Sequence, residues 1–400
     1  MQVGQRIRLY SEKQVQQGFC LGHETAGGQP VFIHGSLPDE FVEIRITRVR
    51  KQHLFGVVTK VLQANPERLE SDCPVFPECG GCSYRHMDYT QEVQTKLDLL
   101  GEWQYLVPAL QKPDFKIHTA AESGYRNSTQ LHVYNHQIGF YRLHSNEIVP
   151  LPDEGCALLS PRLNAFLRND EWPDGKLLVR ELQSGPILAR RNAVIQEPIS
   201  LPGTRSLDWQ YEAAGFWQVN RFLTPLWLQT MFDWMRQAIG DATPSECLEL
   251  FCGSGLIGGS LNPFWQEYLG YEDSRLALKA ANQNFKRLTR GQNSRWQFRH
   301  SNLYERKLNF CDQTGSNQLR WAIANPPRSG LADWMPAALR QGDFRWLLYS
   351  SCNPATLNRD LKTLHQNDYS IERGCAFDFF ARTAHIEVLL LLRLQDRPQQ

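Results

Sequence analysis

The stretch Leu248-Glu-Leu-Phe-Cys-Gly-Ser-Gly-Leu-Ile-Gly258 decides the fold. An apolar strand runs into three glycines, Gly253, Gly255 and Gly258, in the order G-x-G-x-x-G, and Glu272 ends the next apolar run. Glycines permit a tight turn against a ligand, and an acid at the end of the next strand can bond ribose hydroxyls. The pattern is typical of a nucleotide-type cofactor site, although such turns also occur without a ligand.

Helices and strands alternate around this stretch. Leu223, Trp227, Met231 and Trp234 recur at helical spacing before it, and apolar strands are predicted near 246–251, 267–272, 320–324, 344–350 and 386–393. This alternation predicts a doubly wound, Rossmann-like α/β domain over 206–400.

Residues 1–62 have short segments of alternating polarity, which predict a small OB-like β-barrel. The segment 45–53 contains no acid and carries five basic or ionisable side chains: Arg45, Arg48, Arg50, Lys51 and His53. Such a face suits the phosphate backbone of RNA. A solvated, charged edge strand is the alternative.

Residues 63–205 are predicted to form a β-rich central domain with a cysteine-rich start. Cys73, Cys79 and Cys82 form a C-x5-C-x2-C run, and Cys156 offers a distant fourth thiol. Four thiolates suit zinc or an iron–sulfur cluster, and spacing alone favours zinc because zinc is more common. Apolar residues at helical spacing predict a helix near 86–104 that packs on the domain over 206–400.

The composition describes a folded protein whose net charge says little about its partners. Of its 400 residues 42% are hydrophobic, and 43 basic against 42 acidic side chains leave a net charge of +1. Nucleic-acid binding therefore has to come from local patches. No apolar run is long enough for a signal peptide or a membrane span, so we expect a cytoplasmic protein whose cysteines do not form disulfides. We also expect it to be a monomer.

Two motifs follow later strands of the α/β domain. Ala324-Asn-Pro-Pro-Arg-Ser-Gly330 comes after an apolar strand, at the sheet edge where doubly wound folds bind ligands, and suits a planar base. In Tyr349-Ser-Ser-Cys-Asn-Pro-Ala-Thr-Leu-Asn-Arg-Asp360, Cys352 ends a strand, and Pro354 starts a helix that is expected to lower the thiol pKa. Alone, they describe a rigid turn and a buried cysteine. Together they indicate a reactive site.

A third motif, Thr383-Ala-His-Ile-Glu-Val388, precedes the last predicted strand. His385 and Glu387 are two residues apart and are therefore expected on the same side of the sheet. Glu387 is a candidate general base. An ordinary charged strand end is the alternative.

In order and spacing, five stretches resemble the bacterial RNA 5-methyluridine methyltransferases: 216–220 (FWQVN), 249–255 (ELFCGSG), 325–330 (NPPRSG), 349–360 (YSSCNPATLNRD) and 383–387 (TAHIE). The resemblance spans nearly the whole chain, and SCNPAT is its most specific segment. The N-terminal barrel resembles the TRAM module, an RNA-binding barrel carried by the branch that acts on large-subunit ribosomal RNA.

The resemblance implies methylation of uridine C5, with S-adenosylmethionine as the methyl donor and RNA as the partner. It implies that Cys352 adds to C6 of the base and that Glu387 removes the C5 proton. We expect the cofactor and base to contact Gln218, Phe251, Gly253, Gly255, Glu272, Asn302 and Asn325. The resemblance also implies a four-iron cluster on the four cysteines. Arg126 matches a family position near bound RNA, and an ordinary surface arginine is the alternative.

A structured RNA loop is the expected substrate, because a paired or stacked uridine has to be flipped out at a cost of a few kcal/mol before its C5 and C6 can react. Ribosomal RNA is favoured over transfer RNA because the barrel and the cysteine cluster occur together.

Three alternatives remain open on the sequence. Asn325 stands where the family usually has Asp, and Ala381 stands where Pro commonly follows Phe380. These departures leave open that the chain is a relative that binds or remodels RNA without catalysing methyl transfer. A nicotinamide-dependent oxidoreductase would use the same glycine turn. A cytosine-C5 methyltransferase would use the same thiol chemistry. Asn325 bears on this last choice, because its amide can accept from uracil N3–H while donating to O4.

Overall fold

The computed structural model describes residues 1–24, 27–168, 171–203, 206–240, 245–310 and 319–396. Its strands, numbered in chain order, are β1 Arg6–Val15, β2 Phe19–His23, β3 Pro30–His34, β4 Phe41–Val49, β5 Leu54–Gln63, β6 Ile117–His118, β7 Ser128–Tyr134, β8 Gln137–Tyr141, β9 Ile148–Pro150, β10 Gly175–Leu182, β11 Gly185–Leu188, β12 Val194–Ser200, β13 Ser206–Glu212, β14 Ser245–Leu250, β15 Glu267–Glu272, β16 Arg295–His300, β17 Leu319–Ala324, β18 Trp346–Ser351, β19 Tyr369–Phe377 and β20 Glu387–Leu394.

The α-helices are α1 Tyr89–Gly101, α2 Val107–Leu110, α3 Pro161–Arg168, α4 Leu223–Ile239, α5 Leu256–Ser260, α6 Arg275–Leu288, α7 Met335–Gln341 and α8 Pro354–Gln366. Short 3-10 helices cover Gln16–Gly18 and Asn262–Phe264. Within the residues that the structure describes, no helix is both long and apolar enough to span a membrane.

The chain folds into two compact units, and each is built from separate stretches of sequence. The first unit contains Met1–Leu99, Ala121–Leu188 and Phe380–His385. The second contains Leu100–Ala120, Ala189–Phe379 and Ile386–Gln400. The three-domain division at 62 and 205 stays a prediction, since these units group the chain in another way.

The first unit begins with a closed barrel of strand order β1-β2-β3-β5-β4. Alternate residues of β4, namely Val42, Ile44 and Ile46, are fully buried in the barrel, because side chains of a strand point to opposite faces. The predicted N-terminal barrel is confirmed. A five-stranded antiparallel sheet of order β11-β10-β7-β8-β9 follows in the same unit, and Leu163 and Leu167 of α3 are buried in its core.

The second unit has an eight-stranded sheet of order β16-β15-β14-β17-β18-β20-β19-β6 in the described part of the chain, and β12 and β13 form a separate hairpin. The five strands from β14 to β18 run parallel, whereas β20 is antiparallel to β18 and β19. The carboxyl ends of the parallel strands therefore share one edge with the first residue of β20.

The sheet confirms the predicted Rossmann-like α/β domain but contains strands that hydrophobicity did not reveal. β16 reads Arg-Trp-Gln-Phe-Arg-His and is mostly exposed, as suits an edge strand. β19 has a register irregularity between Ile371 and Arg373, which interrupts its apolar alternation. Central strands such as β14 and β18 are buried on both faces and read as apolar runs.

Candidate functional site

A glycine turn connects β14 to α5 at the carboxyl edge of the sheet. Phe251, Gly253 and Gly255 have φ angles of 61°, 53° and 78°, so every second residue of the turn lies in the left-handed region that favours glycine. A Cβ atom on Gly255 would lie 2.7 Å from Cε2 of Phe285. The motif is therefore glycine-rich for two reasons, backbone conformation and close packing.

Two acidic residues brace this turn. Oε2 of Glu272, the last residue of β15, accepts the backbone N–H of Gly253 at 2.9 Å, while Oε1 accepts those of Asp273 and Ser274 at 2.9 Å each. Beneath the turn, Oε2 of the buried Glu249 accepts the backbone N–H of Gly258 at 2.9 Å. Burial raises the pKa of Glu249 to about 8. The structure thus brings Gly253, Gly255 and Glu272 together, as the sequence predicted.

The next strand end carries Asn302, two residues after β16. Its Oδ1 accepts the backbone N–H of Tyr304 at 3.1 Å, and the Tyr304 ring lies 5.6 Å from that of Phe251. Gln218 belongs to the same unit and is buried, 5% exposed. Its neighbour Asn220 caps the start of α4 by accepting the backbone N–H groups of Phe222 and Leu223 at 3.1 and 3.2 Å.

The Asn-Pro-Pro-Arg loop leaves β17 at Asn325, whose side chain is partly buried. Within the described residues, the amide of Asn325 makes no hydrogen bond. Further along the loop, helix α8 holds the carbonyl oxygen of Arg328, which accepts from Asn353 Nδ2 at 2.9 Å and from Thr356 Oγ1 at 3.1 Å. The first turn of α8 therefore fixes the loop that carries Asn325 and Arg328.

Cys352 lies between β18 and α8 and is partly buried. Its pKa is raised, first because burial disfavours the thiolate and second because Glu387 lies near; the positive charge of Arg328 opposes the shift. The expected net lowering of this pKa by the helix is wrong, because desolvation and the carboxylate outweigh the favourable groups in this state of the site. Arg328 is a charged neighbour to which the sequence assigned no role.

Glu387 is the first residue of β20 and is 4% exposed. Ser351 of β18 pairs with Val388 of β20, so Cys352 and Glu387 are the next residues outward on these two antiparallel strands. Burial raises the pKa of Glu387 to about 7, and a hydrogen bond from the Ser350 hydroxyl opposes that shift. His385 belongs to the Phe380–His385 segment of the first unit and precedes the strand.

The first unit holds a second candidate site, where the four cysteines line one cavity: Cys73, Cys79, Cys82 and Cys156. Burial, reinforced by the neighbouring thiols, raises the pKa of Cys79 to about 12, and burial raises that of Cys82 to about 11. Among the described residues no three His, Cys, Asp or Glu side chains are arranged to hold a single metal ion. The predicted ligands are therefore together, without the geometry of a one-ion site.

Two arginines line the same cavity. Arg85 is 4% exposed and forms an ion pair with Asp72. Arg126, expected near RNA, also lines it, and the charges of Tyr125, Cys82 and Cys156 raise its pKa against burial. The cysteine cavity thus has cationic walls, which the spacing of the cysteines did not indicate.

The basic side chains of the barrel differ in their surroundings. Arg45 donates to both carboxylate oxygens of Glu78, at 2.7 and 2.9 Å. Arg48, Arg50 and Lys51 are exposed at the end of β4 and in the following turn. Of the four barrel residues predicted to bind RNA, Arg48, Arg50 and Lys51 therefore lie outside this ion pair and are exposed to solvent.

Comparison with known proteins identifies the family to which the chain belongs. The family model described as tRNA (Uracil-5-)-methyltransferase matches residues 187–395, and the TRAM domain matches residues 1–59. An uncharacterized RNA methyltransferase of Leptospira interrogans is 32% identical over 98% of this chain and 95% of its own length.

Two further relatives carry names that specify a substrate. The 23S rRNA (uracil(1939)-C(5))-methyltransferase RlmD of Pseudomonas entomophila is 26% identical over 97% of this chain and 94% of its own length. The crystal structure of Pyrococcus abyssi tRNA (uracil-54, C5)-methyltransferase in complex with S-adenosyl-L-homocysteine has a TM-score of 0.65 and 19% identity, covering 96% of this chain and 99% of that one. This last comparison shows that the two proteins share a fold.

Proposed function

Because the chain belongs to the tRNA (uracil-5-)-methyltransferase family and is an S-adenosylmethionine-dependent RNA uracil-C5 methyltransferase, we propose that Cys352 is its nucleophile, that Glu387 is its base and that its target lies in 23S ribosomal RNA. The observation that carries the assignment is the pairing of β18 with β20, which brings the thiol and the carboxyl to neighbouring strand ends. An oxidoreductase is excluded by the family.

Cys352 starts the reaction by adding to C6 of the uracil ring. Uracil C5 is a weak nucleophile, and a bond from the Cys352 sulfur to C6 turns C5 into an enolate carbon. The thiol needs activation, because burial and Glu387 raise its pKa. Arg328 is the cation beside it that favours the thiolate, so we assign Arg328 to this step.

S-adenosylmethionine, when bound, supplies the methyl group from its sulfonium centre. Gly253, Gly255 and Glu272 fit such a ligand, because the glycines leave a side-chain-free turn and Oε2 of Glu272, which accepts one backbone N–H, keeps a lone pair for the ligand. Phe251, Asn302 and Gln218 complete the proposed site. Asn325 extends from the neighbouring strand end and faces the base.

Glu387 ends the reaction by removing the proton that C5 retains after methylation. The electron pair of the C5–H bond forms the C5–C6 double bond, and the sulfur of Cys352 leaves as the thiolate. A pKa of about 7 suits this base, since a substantial fraction of it is ionised at neutral pH and the carboxylate is still basic enough to accept a proton.

Ribosomal RNA is proposed over transfer RNA because the TRAM barrel and the four-cysteine cavity occur in one chain whose relatives include enzymes named for 23S ribosomal RNA. Arg48, Arg50 and Lys51 are proposed to contact the RNA backbone. Close to them, His53 and Phe55 pack at a ring distance of 5.1 Å, and both are partly exposed, which offers a surface for a stacked base.

We propose a four-iron cluster in the cysteine cavity, held by Cys73, Cys79, Cys82 and Cys156. Thiolates crowded into this partly buried cavity repel one another, and iron would offset that cost. Nη2 of the buried Arg85 has no hydrogen-bond partner among the described residues, and a donor of this kind suits an anionic, thiolate-ligated cluster. Thiols spread around a cavity fit several metal atoms better than one zinc ion.

The proposal is tested with a 23S ribosomal RNA transcript that contains 5-fluorouridine. Fluorine cannot leave C5 as a proton, so wild-type protein and S-adenosylmethionine should form a covalent RNA complex that survives denaturing electrophoresis. Cys352→Ala should form none, while Cys375→Ala, a buried cysteine of β19, should behave as wild type. A complex that persists in Cys352→Ala would overturn the assignment of Cys352 as the nucleophile. Trapping on a transfer RNA transcript, but not on the ribosomal transcript, would overturn the proposed ribosomal substrate.

A further inference from the structure

The carboxyl group of Glu387 is the end of a buried hydrogen-bond chain that starts on another element. Nε1 of Trp227, in α4, donates to Oγ of Ser350 at 3.3 Å, and Oγ of Ser350 donates to Oε1 of Glu387. Trp227 and Ser350 are each 1% exposed, and Glu387 is 4% exposed. Solvent therefore has little access to these three polar groups.

The strand register explains how this chain reaches the site. Ser350 pairs with Leu389, and Glu387 stands two residues before Leu389 on the same strand. Residues two apart on a strand point to the same face, so Ser350 and Glu387 share a face of the sheet. Cys352, two residues after Ser350, continues that face beyond the end of β18. The hydroxyl group thus belongs to the reacting side of the sheet.

The direction of the hydrogen bonds is fixed by chemistry. An indole N–H can only donate, so the hydroxyl of Ser350 must accept from Trp227 and point its own proton at Glu387. Oε1 of Glu387 is then an acceptor whether the carboxyl group is ionised or protonated. The proton of a neutral Glu387 has to reside on Oε2.

We propose that Ser350 is a positioning residue for the elimination step, which holds Oε1 of Glu387 so that Oε2 takes the proton from C5 of the methylated uracil. This inference rests on the proposed function of Glu387. Oε2 forms the new O–H bond, the C5–H electron pair becomes the C5–C6 double bond, and the bond from C6 to the Cys352 sulfur breaks. Trp227 acts through Ser350 by fixing the direction of its hydroxyl.

The loss of Ser350 should affect proton removal but not methyl transfer, whereas a general loss of structure would slow both steps. Removing the Ser350 hydroxyl leaves Cys352 and the cofactor residues unchanged, so covalent addition and methyl transfer should proceed. Proton removal should slow, because the carboxyl group can rotate and also loses a hydrogen bond that favours its ionised form. The methylated RNA should then remain attached to the enzyme.

The experiment follows one turnover on 23S ribosomal RNA isolated from cells that lack the gene, with methyl-labelled S-adenosylmethionine. We expect Ser350→Ala to transfer the label within about threefold of the wild-type rate and to release product about tenfold more slowly, with the acid limb of the release rate moved to higher pH. Denaturing gels should show accumulated enzyme–RNA complex. Ser350→Thr keeps the hydroxyl and should restore release, and Trp227→Phe should cause a smaller delay.

Ser351→Ala is the matched control, because Ser351 is the next residue of β18 and points to the opposite face, and because its hydroxyl hydrogen-bonds, among the described residues, only with Asn353 of its own turn at 3.4 Å. It should release product as wild type does. Release by Ser350→Ala at the wild-type rate with an unchanged pH profile would overturn the proposal, as would equal loss of transfer and release. If Ser350→Ala does not fold, the release rates of Ser350→Thr and Trp227→Phe decide whether the proposal holds. A wild-type enzyme that forms no adduct on 5-fluorouridine RNA would instead refute the proposed function itself.

Discussion

The side-chain amide of Asn353 donates a hydrogen bond to the carbonyl oxygen of Arg328 at 2.9 Å, and its oxygen accepts the backbone N–H of Ala355 at 3.2 Å. One side chain therefore caps helix α8 and holds the Asn-Pro-Pro-Arg loop. Two motifs that lie about 25 residues apart in sequence become one structural unit, with Cys352 on one side and Arg328 on the other.

This double role predicts the effect of Asn353→Ala. The substitution removes the helix cap and the bond to the loop, and we expect the free energy of unfolding to fall by roughly 1–2 kcal/mol, measured by urea denaturation. Asn353→Asp keeps a capping oxygen but cannot donate to Arg328. Its stability should fall less, while its rate of adduct formation on 5-fluorouridine RNA should still drop. Equal stability of Asn353→Ala and wild type would contradict the capping role.

The raised pKa of Glu387 predicts a pH dependence for product release. The carboxylate is the reactive form, so release should fall as the pH decreases through about 7 and level off above it. The rate of product release from ribosomal RNA, measured in stopped single-turnover reactions from pH 5.5 to 9, tests this pH dependence. Glu387→Gln should transfer methyl yet retain the RNA covalently at every pH. Release that is independent of pH across neutrality would argue against Glu387 as the base.

The glycine turn predicts different costs at two neighbouring positions. Gly253 and Gly255 both have positive φ angles, but a Cβ atom on Gly253 meets nothing within 4 Å, whereas one on Gly255 meets Phe285 at 2.7 Å. Gly255→Ala should therefore lose roughly 1–3 kcal/mol more stability than Gly253→Ala. Thermal unfolding without ligand isolates this packing cost. S-adenosylmethionine should raise the melting temperature of wild type more than that of either variant.

The cysteine cavity predicts a coloured protein. Anaerobically purified wild type should be brown with broad visible absorption that oxidant or chelator bleaches, as iron–sulfur clusters generally are. Cys79→Ser should lose iron and destabilise the first unit, while Cys375→Ala should keep a full complement. Colourless protein with one zinc ion per chain would overturn the proposed four-iron cluster. Arg85→Met should keep the cysteines but lower iron retention, because it removes one of the two arginines that line the cavity.

The sequence predicted the parts of the site that follow from strand ends. Gly253, Glu272, Cys352 and Glu387 each stand where an apolar run stops or starts, and the carboxyl ends of parallel strands must share an edge. The family was confirmed as an RNA uracil-C5 methyltransferase by the match of its family model to residues 187–395. The assignment of catalytic roles to these residues stays a prediction.

What the sequence could not reveal depends on contacts between distant residues. Ser350 reads as an ordinary strand residue until β20 pairs beside it, and Trp227 reads as one more apolar position of α4. Likewise, Arg45 belongs to a basic run, yet Glu78 pairs with it across 33 positions. The thiol pKa of Cys352 was predicted in the wrong direction, because a helix end is visible in sequence and burial beside a carboxyl group is not.

Asn325 gives the last prediction, because it stands where the family usually has Asp and its amide makes no hydrogen bond within the described residues. The amide can accept from uracil N3–H and donate to O4. In that orientation the amide oxygen would face the acceptor N3 of cytosine, and the amide nitrogen would face its donor amino group. Cytosine is therefore accepted only if the amide rotates. A carboxylate at this position still accepts from N3–H but cannot donate at all.

Asn325→Ala should therefore lose most methyl transfer, since an unpaired uracil edge costs roughly 1–3 kcal/mol. Asn325→Asp should keep uridine as the product base and reject cytosine at least as strongly as wild type, because no rotation of a carboxylate supplies a donor to cytosine N3. Nucleoside analysis of methylated ribosomal RNA, with 5-methyluridine and 5-methylcytidine counted separately, measures both effects. If wild type were inactive on unmodified ribosomal RNA and Asn325→Asp activated it, Asn325 would be a loss-of-function substitution in this chain. If wild type and Asn325→Asp are both active, the result supports a role for the Asn325 amide in reading the base.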